Sequence, residues 1–146
     1  MVNFGDGGGA ITANAIQASY AINTAANWGG LTNAKVDVIG VSMGGIVGRW
    51  SLAYDEQFGG GSNGLVRLFI SADAPQQGAN GPISLQEFLL AQNDPALSAL
   101  LASPAARSMC YQSVLQNQNK YCGLPSGTSY VASSAAHDWF YNTANS

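Results

Sequence analysis

The stretch that decides the fold is KVDVIGVSMGGIVGRW, residues 35–50. Its first part is rich in β-branched apolar residues, which predicts a strand over residues 35–41. The chain then turns at residues 42–45, and apolar residues follow at helical spacing from Ile46 to Trp50. A strand, a sharp turn and a helix therefore follow one another, which is the repeating unit of α/β proteins.

The segments on either side extend this pattern. Apolar residues recur at helical spacing over residues 11–25, which predicts an amphipathic helix that ends at Trp28-Gly29-Gly30. Residues 65–70 predict a second strand, whose near-continuous apolar run is typical of a strand covered on both faces. Residues 2–4 are interpreted as the end of another strand. The order of elements predicts an α/β fold with parallel strands and flanking helices.

Short helices are predicted in the second half of the chain. Ser84 and Glu87 have the spacing of a capping box, in which the two side chains satisfy the first free amides of a helix. Asp94-Pro95 and Ser103-Pro104 each place a capping residue before a proline, which is typical of a helix start. Several helices are therefore expected to follow one another beyond the strands.

A length of 146 residues fits one domain of ordinary size. We place the sheet and its sharp turn in residues 1–82 and a helical, lid-like region in residues 83–146. No internal repeat or linker separates the two parts in the sequence. The chain is therefore interpreted as a single, partial α/β domain.

Composition limits the partners that the chain can have. Charged residues make up only 9% of it, the formal net charge is −3, and five residues are basic. Five scattered basic residues cannot follow a phosphate backbone, so we exclude nucleic acid. No run of about 18 apolar residues occurs, which limits membrane contact to the periphery. An uncharged polar surface favours a secreted or periplasmic protein, although residues 1–6 do not resemble a signal peptide.

The sequence offers few metal ligands. Cys110 and Cys122 are 12 positions apart, and His137 is the single histidine. The two cysteines either close a small disulfide loop or remain buried free thiols. They are too few for a structural zinc site, and we expect neither a metal nor an organic cofactor.

The residues that carry chemistry are Gly40-Val41-Ser42-Met43-Gly44, a G-x-S-x-G pentapeptide. A serine hydroxyl must project clear of the backbone to reach both a base and a carbonyl carbon, and a strained turn between strand and helix projects it. We expect Gly40 and Gly44 to be required because a Cβ atom would strike the adjoining strand and helix. Gly44 and Gly48 are expected to face the sheet. The Met43 amide is the candidate donor to an oxyanion.

Residues 38–49, VIGVSMGGIVGR, resemble the nucleophile-turn signature of α/β-hydrolase serine esterases and lipases, in the branch of the glycosylphosphatidylinositol inositol-deacylases and bacterial triacylglycerol lipases. Residues 69–80, FISADAPQQGAN, are similar to the segment that follows the next strand in that branch. Val41 and Gln76 stand where the branch often has histidine. The resemblance covers about residues 2–110, and it implies a partial α/β-hydrolase fold and ester hydrolysis through an acyl-enzyme on the serine.

The chain order Ser42, Asp73, His137 matches the order of nucleophile, acid and histidine in this fold. Some lipases that the chain resembles place the acid after the strand that follows the turn, so Asp73 and His137 are candidate catalytic residues. Against this, His137 falls in a predicted amphipathic helix, and Asp73 is also typical of a turn. We expect the chain to be an internal or truncated segment of a longer hydrolase that carries its acid and histidine further along.

The region after the second strand predicts the substrate class. Its apolar residues, over 83–115, exceed what short surface helices need. In α/β sheets ligands bind beyond the carboxyl ends of the strands, where this region emerges. One interpretation is a lid that covers Ser42 and binds the acyl chain of a small-molecule or lipid ester. The other is a set of helices that complete the core.

Two other functions are weighed against ester hydrolysis. Residues 5–10, GDGGGA, fit the G-x-G-x-x-A dinucleotide fingerprint and precede a predicted helix. The fingerprint lacks a full strand before it and an acidic residue about 20 positions later, which disfavours a dinucleotide-binding oxidoreductase. The remaining alternative is a catalytically silent hydrolase module that acts in binding.

Overall fold

A computed structural model describes residues 1–76, 78, 79 and 81–109. They form a mixed α/β structure, as the sequence predicts. Cys110, Cys122 and His137 lie outside the described residues. The elements in chain order are α1 (Ile11–Ala26), a 3-10 turn (Trp28–Gly30), β1 (Val36–Val41), α2 (Met43–Phe58), β2 (Val66–Ala72), α3 (Ile83–Ala91), α4 (Pro95–Ala102) and α5 (Pro104–Met109).

The described chain divides into two compact units. The first comprises residues 1–7 and 11–76 and contains α1, both strands and α2. The second comprises residues 8–10 and 78–109, with the gaps given above, and contains α3, α4 and α5.

The sheet of the first unit pairs β1 with β2 in parallel. Val38 lies opposite Phe69, Val41 lies opposite Ala72, and the register is irregular between Val36 and Asp37. The two strands are joined through α2, which is the crossover that a parallel pair requires. Both strands therefore end at the same edge of the sheet.

The core of the first unit lies between the sheet and two helices. The buried residues of α1 recur at helical spacing and include Ile11, Ala15, Ala18, Ile22 and Ala26, which confirms the predicted amphipathic helix. Ile22 and Ala26 pack with Leu65, and the half-buried side chains around this cluster are Val36, Val38, Leu52 and Val66. Both helices therefore cover the same face of the sheet.

The opposite face of the sheet is exposed. Ile39 is 67% exposed and Val41 63%, and their neighbours on β2, Leu68 and Ile70, are 49% and 42% exposed. The expectation that both faces of the second strand are covered is therefore wrong for the described residues. The cause is topological, because the crossover places α2 on one side of the two strands and α1 packs on that side with it.

Residues 2–4 are irregular, so the strand end expected there is wrong. The Val2 side chain is 47% exposed, so its burial contributes little to stability. The helix α1 begins directly after the glycine turn, at Ile11. The turn at residues 5–10 thus has no strand before it in the described part of the chain.

One solvent-exposed ion pair joins the two strands. Arg67 donates to both carboxylate oxygens of Asp37, from Nε at 2.9 Å and from Nη2 at 2.5 Å. These hydrogen bonds hold the pKa of Asp37 below its ordinary value. Because both side chains are exposed to water, the pair adds little to the stability of the fold.

A buried carboxylate joins the far end of α2 to its surroundings. Asp55 is 3% exposed, and its Oδ2 accepts from the Ser19 hydroxyl of α1 at 2.5 Å and from the Ser62 amide at 2.9 Å. The Ser62 hydroxyl donates to the same oxygen. The Asp55 carbonyl accepts from the amides of Gly59 and Gly60 at 2.8 and 3.0 Å. Asp55 therefore connects α1, α2 and the loop that leads to β2.

The loop also depends on a glycine at this point. A Cβ atom on Gly60 would lie 1.7 Å from Oδ1 of Asp55. Gly59, which ends α2, has a φ of 73° that favours glycine. The glycine-rich loop of the sequence is thus required by the contact with the carboxylate and by the end of the helix.

Three helix caps are predicted for the second unit, and two of them are confirmed. Asp94 Oδ1 accepts from the amides of Ala96 and Leu97 at 2.7 and 3.4 Å, and Ser103 Oγ accepts from the Ala106 amide at 3.1 Å. The capping box at Ser84 is wrong, because α3 already begins at Ile83. The carbonyl of the preceding Pro82 accepts the Leu85 amide at 3.1 Å, so the extended proline starts this helix.

We predict that Asp55→Ala lowers the free energy of unfolding by about 3 kcal/mol, because it leaves the buried amide and hydroxyl donors without an acceptor. The control is Glu56→Ala, which removes the exposed carboxylate next along α2 and should cost less than about 0.5 kcal/mol. Urea denaturation followed by circular dichroism measures both. Equal losses in the two variants would show that Asp55 does not hold these elements together.

Candidate active site

The turn between β1 and α2 holds Ser42 in an unusual backbone conformation. Its φ is 51° and its ψ is −125°, in a region that residues with a side chain rarely occupy. The residue is exposed to solvent. Such strain persists only where the surrounding structure fixes it, and it is concentrated at functional sites.

Two backbone hydrogen bonds fix this turn. The Ser42 amide donates to the carbonyl of Ala72, the last residue of β2, at 2.9 Å. The Ser42 carbonyl accepts from the Gly45 amide at the same distance. The serine is therefore held by the neighbouring strand on one side and by the first turn of α2 on the other.

Gly40 is required for the close approach of β1 to α2. A Cβ atom at Gly40 would lie 2.5 Å from the Gly44 carbonyl oxygen and 2.6 Å from the Gly45 Cα. Both atoms belong to the backbone and cannot move away cheaply. The steric reason given for Gly40 by the sequence is thus confirmed.

The same reason is wrong for Gly44, where an added Cβ would meet nothing within 4 Å. The glycine that lies against the sheet is Gly45, whose Cβ would lie 2.5 Å from the Ala74 Cβ and 2.6 Å from the Ser71 Oγ. Gly48 faces the sheet as expected, since its Cβ would lie 2.7 Å from the Phe69 ring. The rotation of α2 about its axis decides whether Gly44 or Gly45 faces the sheet. This rotation cannot be read from the sequence.

Met43 is the first residue of α2 and is half-buried. The first four amides of a helix have no acceptor within the helix, and the helix dipole makes this end electropositive. A negative charge that develops on a group beside Ser42 is therefore close to the positive end of α2. The assignment of the Met43 amide as an oxyanion donor stays a prediction.

Asp73 occupies the position next to Ser42 at the edge of the sheet. It directly follows Ala72, which is paired with Val41 in the register. Like Ser42 it is exposed and has a positive φ, of 46°. The structure therefore brings Ser42, Met43 and Asp73 to one end of the two strands, whereas His137 lies outside the described residues.

The turn after β2 is held by a glutamine that the sequence singles out only as a departure from histidine. Gln76 Nε2 donates to the Ser71 hydroxyl at 2.7 Å, and Gln76 Oε1 accepts from Arg49 Nη1 at 3.4 Å. Ser71 belongs to β2 and Arg49 to α2. No recognised turn motif indicates the bond to Ser71, and Arg49 is brought close to Gln76 by the fold.

Comparison with known proteins finds no matching family model, no matching curated protein and no matching solved structure. The resemblance to serine esterases and lipases therefore rests on the residues that carry it. Among the described residues, no group of three or more Asp, Glu, His or Cys side chains could hold a metal ion. Within the same part of the chain, every helix is too short or too polar to cross a membrane.

We predict that Gly40→Ala and Gly45→Ala each destabilise the fold by roughly 2 kcal/mol or more, because the new methyl group overpacks a rigid contact. Gly44→Ala is the control, since the same change there meets open space and alanine favours the helix. Thermal and urea unfolding of the three variants measure the difference. A loss at Gly44 as large as that at Gly40 would contradict the geometry.

Proposed function

We propose that this chain carries the nucleophile of a serine ester hydrolase with a partial α/β-hydrolase fold. The observation that supports the proposal is the exposed, positive-φ conformation of Ser42 between a parallel strand and a helix. A turn of this shape presents a serine hydroxyl to a substrate while the backbone amides behind it face the same reacting carbonyl.

The reaction has two steps. The Ser42 oxygen attacks the ester carbonyl as its proton passes to a base, and the alcohol leaves with a proton as an acyl-serine ester forms. Water then attacks the acyl-serine, which releases the carboxylic acid and restores the hydroxyl. In both steps the carbonyl oxygen becomes negative, and the Met43 amide at the start of α2 is the donor proposed to stabilise it.

Asp73 is the proposed acid because it lies beside Ser42 at the carboxyl end of the paired strands. His137, the base that the chain order suggests, lies outside the described residues. The proposed function therefore depends on Ser42 as the nucleophile and on the start of α2. It does not depend on the identity of the base.

The substrate proposed is a carboxylic ester with a lipid-like acyl group, acted on by an exported protein. Support for the acyl group comes from the resemblance of residues 38–49 to the nucleophile-turn signature of triacylglycerol lipases and glycosylphosphatidylinositol inositol-deacylases.

We predict that a fluorophosphonate probe labels Ser42 and that Ser42→Ala abolishes the labelling without a change in thermal stability. The control is Ser84→Ala, which removes an exposed serine from α3 and should leave labelling unchanged. Gel fluorescence and mass spectrometry of the labelled peptide measure both results.

Labelling that persists in Ser42→Ala would end the serine hydrolase proposal. A folded wild-type protein that takes up no probe and hydrolyses no ester would favour the catalytically silent module. Binding of NAD(H) by the same protein would favour the dinucleotide alternative at residues 5–10.

A further inference from the structure

We infer that Gln76 is a positioning residue for the proposed reaction, holding the turn at residues 72–76 in the conformation that places Asp73 beside Ser42. This inference rests on the proposed function of Ser42. Three observations carry it: the strained turn, the two side-chain hydrogen bonds of Gln76, and the close packing of the turn on the first residues of α2.

The turn after β2 adopts a conformation that needs support. Asp73 has a φ of 46°, which is unfavourable for a residue with a side chain. Two residues later the chain makes a second tight bend around Pro75, where the Gln76 amide donates to the Ala74 carbonyl at 2.8 Å. Proline suits this bend because its ring fixes φ. Two successive sharp bends thus separate the strand from Gln76.

The Gln76 side chain closes this turn back onto the structure that precedes it. Its amide nitrogen donates at 2.7 Å to Ser71, which lies opposite Gly40 in the sheet register. Its carbonyl oxygen accepts at 3.4 Å from Arg49 on α2. The shorter bond to Ser71 is the stronger of the two. One side chain therefore links the strand before Asp73 to the helix that follows Ser42.

The position of the turn affects Ser42 because the turn packs against the start of α2. An added Cβ on Gly45 would lie 2.5 Å from the Ala74 Cβ and 2.6 Å from Ser71 Oγ, so the middle of the turn and the residue before it both lie against Gly45 of α2. Ala72, where the turn begins, accepts the Ser42 amide. The strain of one positive φ and the strength of one hydrogen bond are of the same order, so loss of the Gln76 bonds releases the turn.

The test compares Gln76→Leu with Gln76→Glu in the whole protein. Leucine keeps much of the volume and loses both hydrogen bonds. Glutamate accepts a hydrogen bond from the Ser71 hydroxyl and pairs with Arg49, so it closes the turn in another way. We expect Gln76→Leu to lower kcat on p-nitrophenyl butyrate by about tenfold with KM within about twofold, and Gln76→Glu to restore most of kcat.

Gln92→Leu is the matched control, because Gln92 is exposed and its side chain bonds only one turn back, to the Phe88 carbonyl. Ser71→Ala removes the acceptor alone and should lower kcat as Gln76→Leu does, with no further loss in the double variant. Circular dichroism checks that each variant is folded. If Gln76→Leu does not fold, Ser71→Ala and Gln76→Glu carry the test.

Three results would overturn the inference. The first is an unchanged kcat in Gln76→Leu, with or without a lower melting temperature, since the glutamine would then be structural only. The second is a Gln76→Glu variant no better than Gln76→Leu. The third is a wild-type protein in which Ser42 takes up no fluorophosphonate, and this result is distinct because it removes the proposed function as well.

Discussion

Two glycines set the distance between β1 and the start of α2, and the geometry of the whole first unit follows from that distance. At Gly40 and Gly45 the strand, the helix and the turn after β2 meet more closely than any side chain permits. This contact fixes how α2 is rotated about its axis, and hence which residues face the sheet. Because of this contact the chain must pass from β1 to α2 within a single residue. That residue is Ser42, which has the strained backbone conformation.

The helix that begins at this contact is held at its other end by different chemistry. Asp55 lies in the last turn of α2 and accepts hydrogen bonds from α1 and from the loop before β2. Close backbone packing thus fixes the first turn of α2, and a buried carboxylate fixes the last. Contacts therefore fix both ends of the helix that follows Ser42, and a preorganised site requires support of this kind.

The sequence predicts the elements better than it predicts the contacts between them. Periodicity identifies α1, β1 and the Ser42 turn because those signals are local. The Asp94 cap is also found, since its donors lie two and three residues away. The exposed sheet face and the role of Gly45 are missed because they depend on how the helices pack against the sheet. The Ser19 partner of Asp55 and the Arg49 partner of Gln76 are missed because they are distant in the chain.

The exposed face of the sheet bears on self-association of the chain. Short strands with β-branched residues and open edges are templates on which further strands add. Asp37 and Arg67 are the charged residues of β1 and β2, one in each strand, and they face solvent. Addition of an identical strand in register would set Asp37 against Asp37 or Arg67 against Arg67, and like charges directly opposite are destabilising. The ion pair that contributes little to the folded chain therefore disfavours the in-register addition of an identical strand.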